Sequence, residues 1–425
     1  MSQNGRDNAK IMDAHPEKLD VYFSQGRIGN YIPRALLVDL EPGVLDSIRA
    51  SPLGGLFSPD QFIHSQSGAG NNWAKGFYTN GQEIVDDVID AMRRTVERCD
   101  CLQGFQLVGS TGGGTGSGLG SLLLTKIRDE YPDRMIATFT VFPGRVSDTV
   151  VEPYNTLLTT NTLINNSDAS FAFDNSALYE LCDKNLGIKQ PTYEHLNTLI
   201  ARVMSGLTSS LRFGGQLNGD LRKMCVNMVP FPRLHFFSSS YAPLMKEKSK
   251  SYSTMKAHEI VTDVFNGKGR MLETQGGKYI TCSFIWRGQM STRQIESVTS
   301  EYQMKNAERF IHFLPGHVQT TMTKPHPSIP MSTTFFANST NFAEVLRRTR
   351  ETYRKMYDRK AYLHWYAEEG MDEVEFHEAE NSLNDLEVEY EMYEVDVDGE
   401  VESEARTSSQ SAARSSNEPE LPKKK

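Results

Sequence analysis

The order of elements along this chain predicts an α/β fold with a mostly parallel sheet and helices on both faces. Three observations carry it. Short apolar runs of strand length at residues 35–40, 105–108, 136–142 and 171–173 alternate with amphipathic helical stretches. A glycine-rich decapeptide, residues 109–118, joins one of those strands to the helix after it. With 425 residues, the chain is long enough for two or three domains around a sizeable core.

The elements follow in order. Residues 1–20 are polar and read as weakly ordered. ALLVDL at 35–40 is a strand. In residues 83–99, Ile84, Val85, Val88, Ile89, Met92 and Val96 fall three or four apart, which predicts a helix. The strand at 105, the glycine loop and a helix stopped by Pro132 come next, then strands at 136–142 and 171–173. A helical pattern from Tyr193 through Leu207 leads toward a smaller mixed α/β region, with strand-like runs at 234–237, 279–285 and 333–336. Phe376, Ala379, Leu383, Leu386, Tyr390 and Tyr393 repeat at helical spacing and read as a packing stripe. Beyond about residue 395 periodicity is lost. The predicted organisation is an α/β domain at 1–192 that holds the glycine-rich loop, 193–213 core helix, 214–350 intermediate α/β domain, 351–394 helical region and 395–425 disordered tail.

The sequence GSTGGGTGSG at 109–118 sits between an apolar strand and Leu119, Leu122, Leu123 and Ile127, which share one helical face. A flexible linker would not need those neighbours. Glycines let backbone approach a bulky anion, and a helix start near Ser117 aims N–H groups and its positive end at that anion. Ser110, Thr115 and Ser117 add hydroxyls. The reading is a phosphate cradle. No Lys follows as in the GxxxxGK[ST] loop, and neither Gly112-x-Gly114 nor Gly114-x-Gly116 reaches a third glycine at dinucleotide spacing. A nicotinamide or flavin fold is therefore disfavoured.

Hydrophobic content of 38% and charged content of 23% are ordinary for a globular protein. No apolar run reaches the length of a membrane span, and no signal peptide opens the chain. Five cysteines without paired CxxC spacing point to reduced structural thiols rather than a metal site. The net charge of −9 is concentrated in residues 387–404, which hold nine acidic side chains and no basic one. Neither nucleic acid nor membrane is an expected partner.

Several blocks beyond the glycine loop carry a resemblance: VDLEPG (38–43), QSGAGNNWAKG (66–76), CDCLQGFQ (99–106), DEYPDR (129–134), VSDTVVEPYN (146–155), DLRK (220–223), VNMVPFPRLHFF (226–237) and LHWY (363–366). Together with GGGTGSG they resemble the tubulin family, of the β type, in order and over nearly the whole chain. The resemblance implies GTP or GDP as ligand, with Mg2+. It implies contacts from Ser110, Gly114, Thr115 and Gly116 in the loop. Gly70 and Asn71 would meet the terminal phosphate, and Asp148 and Glu152 would lie in a ribose-side loop. Asn175 and Asn197 would read the guanine edge, for which an amide offers donor and acceptor, and Tyr193 would stack on the base. Glu41 would serve the magnesium ion, a hard cation suited to carboxylate oxygen.

No residue of this chain is assigned as catalytic. In the family, a Glu of the α-type subunit polarises water against the nucleotide of the next β-type subunit. The matching position here is Lys223, and a cation cannot serve as general base. The resemblance thus implies a subunit that receives its water-activating Glu from α-tubulin. Implied partners are α-tubulin in a heterodimer, further tubulin dimers in the microtubule, a chaperonin during folding, and motors or associated proteins at the C-terminal helices. The implied location is cytoplasmic and cytoskeletal. Two departures stand out. The family's opening strand and GQCGNQ loop have no counterpart after Met1, so low solubility or chaperone retention is expected of the chain as written. The tail after Glu404 carries five basic residues against two acidic ones. The alternative reading is a non-polymerising β-like regulatory protein with weak or no nucleotide binding.

Overall fold

The computed structural model describes residues 16–26, 30–145, 149–213, 220–244, 256–288, 290–312, 314, 316–325, 329 and 331–394. Eleven strands are present among them: β1 Phe23–Gln25, β2 Tyr31–Pro33, β3 Leu37–Asp39, β4 Phe62–His64, β5 Gly104–Ser110, β6 Met135–Phe142, β7 Ala169–Asp174, β8 Phe236–Ala242, β9 Tyr279–Gly288, β10 Val318–Thr323 and β11 Met331–Ser339. Seven form one sheet in the order β10-β9-β11-β8-β7-β6-β5. β5 through β8 run parallel, as do β9 and β10, while β11 runs antiparallel to both of its neighbours. The mostly parallel sheet expected from the strand–helix alternation is therefore present. β3 and β4 pair parallel to each other apart from it, and β1 with β2 forms a small antiparallel ribbon.

Strand alternation sends successive side chains to opposite faces. In β8, Phe236 joins one core and Phe237 the other; in β7, Ala172 joins the first and Phe171 and Phe173 the second. The first face is covered by helices Asn80–Val96, Gly120–Glu130, Glu152–Asn166, Phe342–Tyr357 and Glu373–Met392. The second is covered by Asn175–Leu181, Tyr193–Leu207 and Leu221–Met228. A third core forms where Ala257–Phe265 and Thr292–Lys305 pack beside β9 and β11. The helix expected at 83–99 occupies Asn80–Val96, and the C-terminal stripe lies buried on Glu373–Met392. The sheet is continuous from β5 to β10, because β8 pairs directly with β7 at Ser170 opposite Phe236. Residues 395–425 and most of 1–20 lie outside the described residues.

All five cysteines are free. Burial pushes the Cys225 thiol up to about 12, and it raises Cys182 and Cys282 as well. These three are therefore unreactive thiols packed as small apolar side chains.

Tyr154 anchors the C-terminal helices. It is fully buried, with the rings of Tyr353, Tyr366 and Phe376 at 5.7, 5.6 and 5.4 Å, all edge-on. Its hydroxyl donates to the Ala361 carbonyl at 2.8 Å. Tyr154→Ala is expected to cost about 3–5 kcal/mol, and Tyr154→Phe only about 1 kcal/mol for the lost hydrogen bond. Urea unfolding of the two variants side by side checks the difference.

Candidate functional site

Five carboxyl ends of strands converge at one end of the molecule. β5, β6 and β7 end at Ser110, Phe142 and Asp174, in register across the sheet. β3 and β4 end at Asp39 and His64, and their following turns are tied by Gly68 N–H donating to the Leu40 carbonyl at 3.1 Å. Ligands of parallel sheets bind beyond such ends.

The glycine loop rises from β5. Thr111 is fully buried, and its N–H donates to the Val141 carbonyl of β6 at 3.0 Å. After the turn comes a π-helical segment, Thr115–Leu119, which runs into Gly120–Glu130. The helical backbone thus starts two residues before the expected Ser117. Among the described residues, the N–H groups of Gly112, Gly113 and Gly114 make no backbone hydrogen bond, and those of Thr115 and Gly116 lie in the first turn, with no preceding carbonyl to meet. The loop therefore presents a run of free donors at the positive end of a helix.

A second turn packs against it. Gly68, Gly70 and Asn71 have φ of +61°, +55° and +56°, a left-handed run that glycine and asparagine tolerate. A Cβ on Gly114 would lie 2.6 Å from the Cβ of Ala69 and 3.0 Å from the backbone nitrogen of Asn72. A Cβ on Gly116 would meet the Ser110 carbonyl at 2.7 Å, and one on Gly112 the Glu152 carboxylate at 2.8 Å. Gly114 and Gly116 are demanded by protein packed on protein, which corrects the expectation that their lack of side chain directly makes room for an anion; at Gly112 the neighbour is the movable end of the Glu152 side chain. Gly113 is the exception. Nothing approaches its Cβ position closer than the Ser110 hydroxyl at 3.8 Å and the Asn71 amide oxygen at 3.9 Å. Ser110, Gly113 and Asn71 therefore border one open space.

Ser117 does not contribute there. Its hydroxyl is buried and donates to the Gly113 carbonyl, which removes it from the hydroxyls expected to face an anion. Glu41 lies against Gly68, whose Cβ would fall 2.6 Å from the carboxylate, so Glu41 reaches the same rim. Glu152 opens its helix beside Gly112. Asn175 opens the Asn175–Leu181 helix, where the Asp174 side chain caps by accepting from Ser176 N–H at 2.8 Å. Tyr193 and Asn197, four apart on the first turns of Tyr193–Leu207, share an exposed face of that helix, which packs beside Asn175–Leu181. No hydrogen bond joins them to the glycine loop among the described residues. Asp148 lies outside the described residues. Lys223 is exposed on Leu221–Met228 and pairs with Asp220 at 3.6 Å.

The residue that joins the two loops was not singled out by its sequence. Asn155 is fully buried. Its amide nitrogen donates to the carbonyls of Asn71 and Gly112, both at 2.8 Å. Its amide oxygen accepts from Trp73 N–H at 3.0 Å and from the Tyr366 hydroxyl at 2.7 Å. It closes the VSDTVVEPYN block on a helix whose buried side also carries Thr156, Thr159 and Thr160, so a buried polar residue there did not stand out in the sequence. Asn155→Ala leaves several buried partners unmatched, and each orphaned group costs about 1–3 kcal/mol. A loss of roughly 3 kcal/mol or more is expected in urea unfolding. Asn155→Asp opens no cavity and should still destabilise, since it turns an oxygen toward two carbonyls.

A stretch of the chain, residues 3–183, matches the Tubulin/FtsZ family GTPase domain, and residues 232–351 match the tubulin C-terminal domain. The tubulin beta chain of Pneumocystis carinii is 50% identical over 395 residues, covering 92% of this chain and 89% of that protein. The tubulin beta-2 chain of Hypocrea virens is 50% identical over 396 residues, with the same coverage. The free-donor glycine loop, the left-handed turn packed on it and these matches lead to one conclusion: this chain belongs to the tubulin family.

Proposed function

We propose that this chain is a GTP-binding β-type tubulin subunit that pairs with an α-type partner and assembles into microtubules. The observation that carries it is the open space at Gly113, ringed by free backbone donors, the Ser110 hydroxyl and the Asn71 amide. That arrangement suits the phosphates of a nucleotide. Asn175, Tyr193 and Asn197, on adjoining helices, are assigned to the base, and Asp148 and Glu152 to the ribose side. Gly70, Gly114, Thr115 and Gly116 hold the backbone of the phosphate turn.

Glu41 is the residue assigned to Mg2+. No cluster of three or more potential metal-ligating side chains occurs among the described residues. One carboxylate with phosphate oxygens and water fits the way magnesium accompanies nucleotides. When bound, the ion would offset phosphate charge; Glu41 itself holds position against Gly68. Lys223, exposed and cationic, cannot take a proton from water. Hydrolysis accordingly draws its general base from the α-type subunit, across a junction between subunits. Further tubulin dimers, a folding chaperonin, and motors or associated proteins on the outer, acidic face of Glu373–Met392 complete the proposed partners. No helix among the described residues is long and apolar enough to cross a membrane, and a cytoplasmic, cytoskeletal location goes with the assignment.

Two glycine variants test the site. Gly113→Ala places a methyl in the open space and touches no protein atom closely. It should lower GTP affinity by about tenfold or more while changing stability by roughly 0.5 kcal/mol or less. Gly114→Val should lower both, because it drives the Ala69–Asn72 turn away. Filter binding with radiolabelled GTP and parallel unfolding curves measure the two effects. Unchanged affinity in Gly113→Ala would move the phosphates elsewhere.

A separate assay addresses hydrolysis. Phosphate release from the isolated chain is expected to be negligible and to appear on adding α-type subunits under assembly conditions. Turnover by strictly monomeric protein would place the water-activating group within this chain. The second reading is a non-polymerising regulatory relative with weak or no nucleotide binding. Extraction and identification of nucleotide from the purified protein distinguishes it.

A further inference from the structure

Strand β7 ends at Asp174, whose carboxylate is fully buried. Its two oxygens have separate partners. Oδ1 accepts from Ser176 N–H at 2.8 Å and caps the Asn175–Leu181 helix. Oδ2 accepts from Nη2 of Arg348 at 2.7 Å, on the distant Phe342–Tyr357 helix. Nη1 of Arg348 approaches Glu273 at 3.5 Å, and Glu273 accepts from Arg145 Nε at 3.1 Å. Arg145 N–H donates to the Ser176 hydroxyl at 2.7 Å, which closes a ring through the first turn of the Asn175 helix. The helix that carries Arg348 is itself fixed to the sheet. Phe342 stacks on Phe236 with ring centroids 4.6 Å apart and meets Phe142, the last residue of β6, edge-on at 6.1 Å.

Asn175 is the covalent link between two members of this ring, Asp174 and Ser176. Its own side-chain amide has no hydrogen-bond partner among the described residues. The backbone is held and the amide is left uncommitted, as suits a group kept for a ligand. We propose that Arg348 is a positioning residue for base recognition: acting through Asp174, it fixes the place of the Asn175 amide and so sets selectivity for guanine. The inference rests on the assignment of Asn175 to the base. The guanidinium is engaged by two carboxylates, which a planar fork can reach at once and a lysine ammonium cannot match, so its effect on the base passes through Asp174. Burial raises the Asp174 carboxyl above its ordinary value, and Arg348 is the charge that opposes the rise. Without it the carboxylate loses its counter-charge, and the cap that starts the helix loosens. Adenine carries a donor where guanine carries O6, and it lacks the 2-amino group. Hydrogen bonds to a well-placed amide therefore favour GTP and drop out when the amide is displaced.

The test measures GTP and ATP affinity of the full chain by competition against a fluorescent GTP analogue. Asn175→Ala is the reference for a lost base contact and should narrow the GTP-over-ATP ratio by about fivefold or more. Arg348→Gln should narrow it by about threefold or more. Arg348→Lys, which keeps a cation on Asp174, should recover most of that loss. Arg354→Gln removes a different ion pair of the same helix, with Glu380, and should leave the ratio unchanged. Should Arg348→Gln fail to fold, Glu273→Gln opens the ring without stranding a buried carboxylate and carries the same expectation. A ratio unchanged in the ring variant beside a narrowed ratio in Asn175→Ala would overturn the proposal alone. So would equal narrowing in Arg354→Gln, or a Lys variant no better than Gln, because Arg348 would then act only as general support. An unaltered chain that binds no GTP, or an unchanged ratio in Asn175→Ala, would overturn the base assignment and the proposal with it.

Discussion

Asn155 is the interaction on which the functional end of the molecule depends. One buried amide satisfies carbonyls from both glycine-rich turns and accepts from Trp73 and Tyr366. Its neighbour Tyr154 occupies the centre of the aromatic cluster that fixes the C-terminal helices. Two consecutive residues of one helix thus join three distant parts of the chain, at residues 71–73, 112 and 353–376. Such a network is strong only when every member is paired, because a half-paired polar group in an apolar core is costly. Here the amide's donor and acceptor sides are both used.

Rigidity of the cradle follows from glycine, by a route other than direct ligand access. Gly114, Gly116 and Gly118 each lack room for a methyl because backbone or Cβ atoms of other segments stand there. Close packing of the two turns holds the free N–H groups in place before any ligand arrives, so less ordering entropy is lost on binding. Within the 112–118 run, Gly113 is the glycine that faces open space.

A second joint lies at the far side of the same end. The buried Asp174 carboxylate caps the Asn175 helix and also accepts from Arg348 at 2.7 Å. Arg348 in turn approaches Glu273 at 3.5 Å, and Glu273 pairs with Arg145 in the segment after β6. The Phe342–Tyr357 helix is therefore tied to the segment carrying Asn175 and to the one following β6. Removing one member would strand a buried charge, which costs more than the intact pair contributes. Both joints bind the C-terminal helices to loops at the strand ends, which makes those helices part of the site's framework rather than an appendage.

The strand–loop–helix around Gly109 to Gly118, the amphipathic helix at Asn80–Val96, the Tyr193 helix and the C-terminal stripe were legible in the sequence. Each rests on local periodicity, and burial of the periodic face settles it without distant help. Family blocks pointed to Ser110, Asn71 and Glu41, which the fold brings to one rim. The role of Asn155 was not legible, because its partners come from residues tens to hundreds of positions away. Nor was the inward turn of Ser117, since a hydroxyl's direction depends on the helix geometry at its own turn. The single reversed strand β11 and the direct pairing of β8 with β7 also escaped, because pairing order is decided by which apolar faces meet in space. The sequence by itself determined which segments are helix or strand and where backbone can bend left-handed, through side-chain periodicity and the conformational freedom of glycine. The tertiary structure alone decided which glycines face protein and which faces open space, because that depends on the contact of loops from separate parts of the chain.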